Sequence, residues 1–337
     1  MSLDSQYWLI TGGSGLVGSA LQRELQQNGN KVLAPGSRKL DLRDRSQISC
    51  FLADNQAIDG EGLYSRIGYA IHLAAKVGGI KANFFDPMNF YDENIIMNAN
   101  FLSACSADEE APVQKVVSMM STCVYPDAPY VKYPLTEDQL HMGPPHDSNF
   151  AYAFAKRMLD VQTRAIRKQH NLSYVTVIPN NIFGENDNFS YRDSHVIPAL
   201  IRRIWEAKLK GYLCVEIWGD GTALREFTYS RDIAKILMVV AKEYDDDMPL
   251  NIGNTEEHTI TSVAESIKDI LKYDGRLVYN TQALSGQARK PSSNERLLSL
   301  TSWTKEDYTP FRVALEQTCK WFTSNYPNVR GCEYLNC

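Results

Sequence analysis

The sequence predicts an α/β fold: a doubly wound parallel sheet followed by a smaller mixed α/β lobe. Three observations carry this expectation. Short apolar runs of strand length alternate with longer amphipathic stretches over residues 1–180, the signature of βαβ units. A glycine-rich segment follows the first run and opens the first amphipathic stretch. After Pro179 the alternation loses its regularity, which marks a second lobe.

Residues 7–11 (YWLIT), 31–34, 69–73, 113–120 and 174–178 form the first set of strands, apolar or β-branched and without polar alternation. Such runs suit strands buried on both faces of a parallel sheet. Between them, 15–27, 46–54, 87–107 and 149–169 have helical spacing, and the connections are expected to be right-handed. Asp147, Ser148 and Asn149 supply N-cap types before the last of these helices. Further on, 195–210, 231–243, 261–271 and 311–325 read as helices, with short strands at 213–218 and 276–279. The expected division is therefore 1–180 as a dinucleotide-binding domain, 181–327 mainly as a substrate lobe, and 328–337 as a tail without periodicity, expected to be disordered.

Composition narrows the function classes. The chain has 337 residues, 44% hydrophobic and 22% charged, enough for a sizeable core in about two domains. A net charge of -5 provides no general basic field, so nucleic acid is a poor partner. No apolar run approaches the ~20 residues of a membrane span, and the first residues lead into a strand rather than an apolar signal core, so a cytoplasmic location is expected. Cys50, Cys105, Cys123, Cys214, Cys319, Cys332 and Cys337 are odd in number and widely spaced, without a C-x-x-C pair. That argues against disulfides and a metal site alike, and no metal is expected.

The segment from Thr11 to Gly18 (TGGSGLVG) places Gly12 and Gly15 where the backbone must turn and approach a pyrophosphate. Gly18 lets the helix pack on the strand, while Ser14, Leu16 and Val17 lie at the helix start, whose N–H groups face an anion. The end of the second strand selects the cofactor. It reads Ala34-Pro35-Gly36-Ser37-Arg38-Lys39, with no acid for a ribose 2′-hydroxyl; Arg38 suits a 2′-phosphate, so NADP is expected.

A second constellation follows at mid-chain. Ser121-Thr122-Cys123-Val124-Tyr125-Pro126 succeeds a strand, and Tyr152, 31 residues after Ser121, precedes Lys156 by one helical turn. Tyrosine titrates near 10, too high for acid-base work at neutral pH. A nearby ammonium lowering it by ~3 units supplies about 4 kcal/mol. Ser121 is expected to hydrogen-bond the substrate oxygen.

These residues resemble the extended short-chain dehydrogenases/reductases, and within them the GDP-L-fucose synthase family. The likeness rests on STCVYP (121–126), AYAFAK (151–156), IPNNIFGENDNF (178–189) and SHVIPALIRR (194–203), supported by KVGGI (76–80) and WGDGTALREF (218–227). It extends to about residue 325. It implies a Rossmann-type domain, a homodimer, and a GDP-4-keto-6-deoxy-D-mannose substrate epimerised at C3 and C5 and then reduced at C4 with NADPH. The C4 ketone acidifies the C3 and C5 protons, and inversion needs a base on one face and an acid on the other. The resemblance assigns that pair to Cys123 and His195; plain dehydratases resembling this chain carry a carboxylate where Cys123 stands. It makes Tyr152 the proton donor of the reduction, supported by Lys156 and Ser121. It also gives Asp41 and Leu42 to the adenine, Leu73, Ala74 and Ala75 to the cofactor groove, and Pro179, Asn181, Ile182, Lys156 and His195 to the nicotinamide end. Arg203, Trp218, Arg225 and Lys290, with Asn181, are implied for the GDP-sugar. Two departures stand out: the loop GQARKPSSN around Lys290 lacks the family's more usual acidic turn, and Asn180 stands where Thr is more frequent. Alternatives are a nucleotide-sugar 4-epimerase or 4,6-dehydratase, and a non-catalytic dinucleotide sensor.

Overall fold

The computed structural model describes residues 6–55, 67–108, 112–282 and 288–332. The first half runs β1 (Tyr7–Thr11), α1 (Leu16–Gln27), β2 (Lys31–Leu33), α2 (Arg45–Asp54), β3 (Ile67–His72), α3 (Ile80–Phe85), α4 (Pro87–Ala107), β4 (Lys115–Met119), α5 (Phe150–His170) and β5 (Ser173–Ile178). Then come β6 (Asn181–Phe183), α6 (Val196–Lys210), β7 (Cys214–Trp218), β8 (Leu224–Tyr229), α7 (Ser230–Glu243), β9 (Leu250–Asn251), β10 (Glu257–Thr259), α8 (Ile260–Ile270), β11 (Arg276–Asn280), α9 (Glu295–Leu300) and α10 (Phe311–Asn325).

Among the described residues, six parallel strands form one sheet in the order β2-β1-β3-β4-β5-β9. Every residue of β3 and β4 is buried, because helices cover both faces. Leu21 and Leu25 of α1 meet Ile233 and Leu237 of α7 on one face. On the other face lie Ile48 and Leu52 of α2, Phe101 and Leu102 of α4, and Leu159 and Ile166 of α5. Local signals set the helix ends: Asp44 accepts from the Ser46 and Gln47 amides at the start of α2, and Pro87 opens α4. Asn171 and Gly211 close α5 and α6 in the left-handed region, at φ 53° and 68°. At α5 the expected cap differs: Asn149 makes no side-chain cap, and the His146 ring accepts from the Ser148 amide instead.

The second core gathers Phe183, Ile201 and Ile204 with Phe227, Val263, Ile267, Leu315 and Phe322, around the small sheets β10-β8-β6 and β11-β7. The chain after residue 180 does not stay in it. α7, β9, Leu297, Trp303 and Tyr308 return to the core of the large sheet, with Ile252 beside them. The two cores are thus interleaved in sequence beyond the expected boundary, because β5 is completed by a partner strand that lies some 70 residues later.

The tail also departs from expectation. Residues 328–332 are packed, with Val329 and Cys332 buried, and the Phe189 amide donates to the Arg330 carbonyl at 2.9 Å. Residues 333–337, with Cys337, lie outside the described residues. Cys50, Cys105, Cys123, Cys214, Cys319 and Cys332 are free thiols. Among the described residues, no helix is long and apolar enough to cross a membrane, and no His/Cys/Asp/Glu cluster could hold a metal ion.

Candidate active site

The chain order of the sheet reverses at β1, which lies between β2 and β3, and in open α/β sheets such a reversal puts the ligand crevice beyond the carboxyl ends of those strands. Gly12 stands there at φ +70°, where a Cβ would lie 2.8 Å from the Ala74 nitrogen and 2.9 Å from the Leu73 carbonyl carbon. A Cβ on Gly18 would strike the Gly12 carbonyl oxygen, so α1 packs onto the turn only without one. Gly15 caps α1 with no side-chain hydrogen bond, and Ser14 is exposed beside it. The first-turn N–H groups of α1, near Leu16 and Val17, therefore have no side-chain acceptor and face the crevice mouth. Arg38 is exposed just beyond β2 and makes no ion pair among the described residues. A glycine cradle, open helix amides and an available guanidinium fit a dinucleotide with a 2′-phosphate. Asp41 is held by a near neighbour. Arg43 grips its carboxylate at 2.7 and 2.9 Å and pulls its pKa to about 2, so the side chain is already partnered. Leu42 is buried.

A buried chain of hydrogen bonds ties this cradle to α5. The Leu73 and Ala74 amides donate to the Thr11 hydroxyl, which faces His72 Nδ1 at 2.8 Å. With two donors already on it, the hydroxyl gives its own proton to Nδ1, so His72 Nε2–H donates to Asn98 Oδ1 at 2.9 Å. Asn98 in turn donates to the Ala155 carbonyl at 3.1 Å. Burial and the charge of Lys156 hold the His72 pKa near 3, so the imidazole stays neutral. Sequence offered one hint of this chain, a lone His in an apolar run; nothing there pointed to Asn98.

Tyr152 and Lys156 share a face of α5, as their spacing requires. The Lys156 ammonium is buried and donates to the Met119 carbonyl at 2.8 Å; desolvation lowers its pKa to about 8. Tyr152 stacks edge-on against Phe90, and burial, aided by Cys123, drives its pKa well above 10. The expected lowering of the phenol is not seen here. Desolvation dominates, and the Lys156 ammonium is spent on a backbone carbonyl. Tyr152 is thus a neutral phenol, which has a proton to give.

Cys123 sits in a short 3-10 turn after β4, over residues Thr122–Val124. The Thr122 amide donates to the buried Pro179 carbonyl, and Arg157 donates to the Val124 and Gly143 carbonyls, clamping the turn to α5. Burial pushes the Cys123 thiol up, while the Ser121 hydroxyl and the charges of Lys290 and Lys156 pull it back. Ser121, Cys123, Tyr152, Lys156 and Lys290 are therefore one interacting group. Lys290 is held in place from the other lobe: buried Glu226 on β8 accepts from the Ser292 amide and hydroxyl at 2.8 and 2.6 Å. The same carboxylate accepts from Asn180, whose remaining contacts go to Asn254 and Thr228, so Asn180 is structural. Asn181 and Ile182 begin β6 beside it, and the Asn181 amide donates to the Glu226 carbonyl.

His195 caps α6 without a side-chain cap bond. Its ring is open to solvent on one side, yet the surrounding protein lowers its pKa. The positive end of α6 acts in the same direction. A Cβ on Gly79 would lie 3.6 Å from the Ser194 carbonyl, and one on Gly78 2.9 Å from the Phe90 ring, which meets Tyr152. The 76–79 loop thus spans from the tyrosine to the His195 loop. The remaining implied residues divide. Arg225 and Lys290 lie within electrostatic range of each other, both with pKa values lowered by burial. Such neighbouring, desolvated cations favour an anionic ligand. Arg203 lies 4.8 Å over the Trp218 ring in a separate cleft of about 350 Å³, also lined by Tyr191, Glu206 and Tyr212.

Fold and site together define a dinucleotide-dependent enzyme whose Ser121, Cys123, Tyr152 and Lys156 are brought together beyond the large sheet. Residues 8–253 match the model of the NAD dependent epimerase/dehydratase family, and the chain belongs to that family. Among its relatives, GDP-L-fucose synthase of Dictyostelium discoideum is 36% identical over 327 residues, 96% of this chain and 97% of the relative. The GDP-L-fucose synthase of Escherichia coli (strain K12) is 32% identical over 98% of this chain and all of its own. The crystal structure of a GDP-L-fucose synthetase from Naegleria fowleri bound to NADP has a TM-score of 0.84 at 35% identity, with 97% of each chain covered.

Proposed function

We propose that this protein converts GDP-4-keto-6-deoxy-D-mannose to GDP-L-fucose by 3,5-epimerisation followed by reduction at C4. The observation that carries the reading is the buried thiol of Cys123 within electrostatic range of Tyr152 and Lys156. A ketone held there has a proton-transfer group and a hydride-type acid in the same pocket. The relatives, named GDP-L-fucose synthases, support the same product.

The Gly12–Gly18 turn and Arg38 would hold NADPH, which when bound would supply a hydride to the C4 carbonyl. Cys123 and His195 serve opposite faces of the sugar in removing and returning the C3 and C5 protons, through an enolate stabilised by the C4 carbonyl. Ser121 hydrogen-bonds that oxygen and Tyr152 protonates it on reduction. Lys290 and Arg225 bind the diphosphate, while Arg203 and Trp218 take the nucleoside end. Residues 1–180, completed by α7 and β9, bind the cofactor, and the second core carries the sugar nucleotide.

The apolar side chains left exposed on α4 and α5, Met88 at 74%, Phe154 at 43% and Val161 at 55%, line a cleft with Tyr91 and Phe150. They support a homodimer built on these helices. The six free thiols accord with a cytoplasmic setting. Mixing the protein with NADPH and GDP-4-keto-6-deoxy-D-mannose tests the reading: one NADPH is consumed per GDP-L-fucose formed. A 4-epimerase or 4,6-dehydratase would show no net consumption, and that result sinks the proposal.

A further inference from the structure

The segment that carries His195 is long and irregular, running from Gly184 to Ser194 between β6 and α6. Loops of this kind are ordinarily mobile, yet proton transfer needs the ring held to a fraction of an ångström. Its internal bonds are short-range: the Asn188 amide donates to Asp187 Oδ1, the Ser190 amide to Asn188 Oδ1, the Arg192 amide to the Ser190 hydroxyl, and the Ser194 amide to the Ser190 carbonyl. Glu185 anchors its first residues, accepting from the Tyr229 hydroxyl and pairing with Arg231, and its middle is held from the far end of the chain.

Residues 328–332 lie across this loop. The Phe189 amide donates to the Arg330 carbonyl. Gly331, at φ +88°, presses so close that a Cβ would strike the Ser190 amide nitrogen and lie 2.6 Å from Asn188 Oδ1. Arg202 locks the two strands of chain together. One of its nitrogens donates to the Phe189 carbonyl at 2.9 Å and to the Gly331 carbonyl at 2.7 Å, while its Nε donates to Glu206. The guanidinium is buried and lies 4.0 Å from the Tyr191 ring, whose hydroxyl donates to the same Glu206. Arg202 is on α6, seven residues after His195 and next to Arg203. A buried fork donating to two backbone carbonyls from distant parts of the chain is a fastening that Lys, a point charge, would not reproduce.

We infer that residues 328–332 form a strap that, fastened by Arg202, positions the His195 loop for the proton-transfer half of the reaction. Arg202 and Gly331 are positioning residues. Neither touches substrate or cofactor. Tyr191 and Arg203 share the outer cleft, so the strap also steadies one wall of the sugar-nucleotide site. Among the described residues, the strap bonds to Phe189 and Arg202 and presses on Ser190 and Asn188; the glycine turn and Arg38, at the other end of the proposed cofactor site, are not among these partners.

This inference rests on the proposed role of His195, so its experiment separates the two. Full-length protein, a chain ending at Pro327, a chain ending at Cys332, and full-length Gly331→Ala are compared. Each is assayed for NADPH binding, for deuterium uptake from heavy water into GDP-4-keto-6-deoxy-D-mannose, and for backbone amide exchange over residues 186–195. The chain ending at Pro327 and Gly331→Ala should lose deuterium uptake 10- to 100-fold (about 1.4–2.7 kcal/mol) and exchange their loop amides faster. Their NADPH affinity should be unchanged, and the chain ending at Cys332 should match the full length. Unchanged deuterium uptake in the chain ending at Pro327 and in Gly331→Ala overturns the strap. So does a parallel loss of NADPH binding, which marks general unfolding, or a loss already present in the chain ending at Cys332. If the full-length protein itself takes up no deuterium, the assigned reaction fails, while the amide exchange still decides whether the strap holds the loop.

Discussion

The part of the site proposed for hydride chemistry and the part proposed for proton transfer are built differently. Tyr152 and Lys156 stand on α5, a 21-residue helix packed along α4 and tied through Asn98 and His72 to the glycine turn. Their positions follow from regular elements and one buried hydrogen-bond chain. His195 ends an irregular loop, and Lys290 sits in an extended segment held by Glu226; both borrow their placement from distant residues. A rigid helix suits the step shared across a superfamily, and braced loops suit the step that differs between its members.

The sharpest way to break this comparison is Tyr152→Phe. Loss of the phenol should lower NADPH oxidation roughly 10²- to 10⁴-fold while deuterium uptake at C3 and C5 persists. Equal loss of both would show that the two sides are not separable. Next in size, Gly12→Ala should weaken NADPH binding on the order of 100-fold, since the new Cβ meets the Ala74 backbone at a left-handed φ. GDP affinity, measured by calorimetry, should change little, because the cations that serve it lie in the other lobe.

A pH test addresses the loop. Asp187 is a buried residue of the loop itself, one carboxylate oxygen has no partner, and burial raises the pKa from 3.8 to about 7. A carboxyl raised in the folded state contributes stability that is present below about pH 4 and lost as pH rises through about 7. The unfolding free energy of the wild type, from denaturant titrations, should therefore fall by roughly 2–4 kcal/mol between pH 4 and 8 relative to Asp187→Asn. A parallel pH profile in the two proteins would contradict it. The smallest effect is expected at Lys290→Met. Removing that cation raises the Cys123 thiol further, so alkylation of the Cys123 peptide at pH 8 should slow about 3- to 10-fold. A rate that rises would show that Lys290 does not favour the thiolate.

Legibility in sequence followed the same division. The glycine turn, the Tyr–Lys pair and the strands of the large sheet are local patterns, and the structure places β1, α4 and α10 at their expected bounds. What lay beyond reach depends on partners distant in sequence. Nothing near Tyr152 says whether burial or the ammonium dominates its titration, and burial does. Asp41 reads as free until Arg43 folds back on it. The two-residue β9 is too short to show a period, so its return to β5 was invisible, and with it the membership of α7 in the first core. Arg202 and Arg203 are adjacent, and sequence singled out only the second.

The interleaving of the two cores bears on how the chain is made. A ribosome emits β1 to β5 well before α7, β9, Trp303 and Tyr308, which complete their cover. Until about residue 308 has emerged, one face of the nascent sheet, with Leu21, Leu25 and Val177, lacks its shield and is open to chaperones. Detaching residues 1–180 as a portable module for gene fusion would leave that face bare, so swaps between relatives need to carry residues 230–252 and 297–308 along with it.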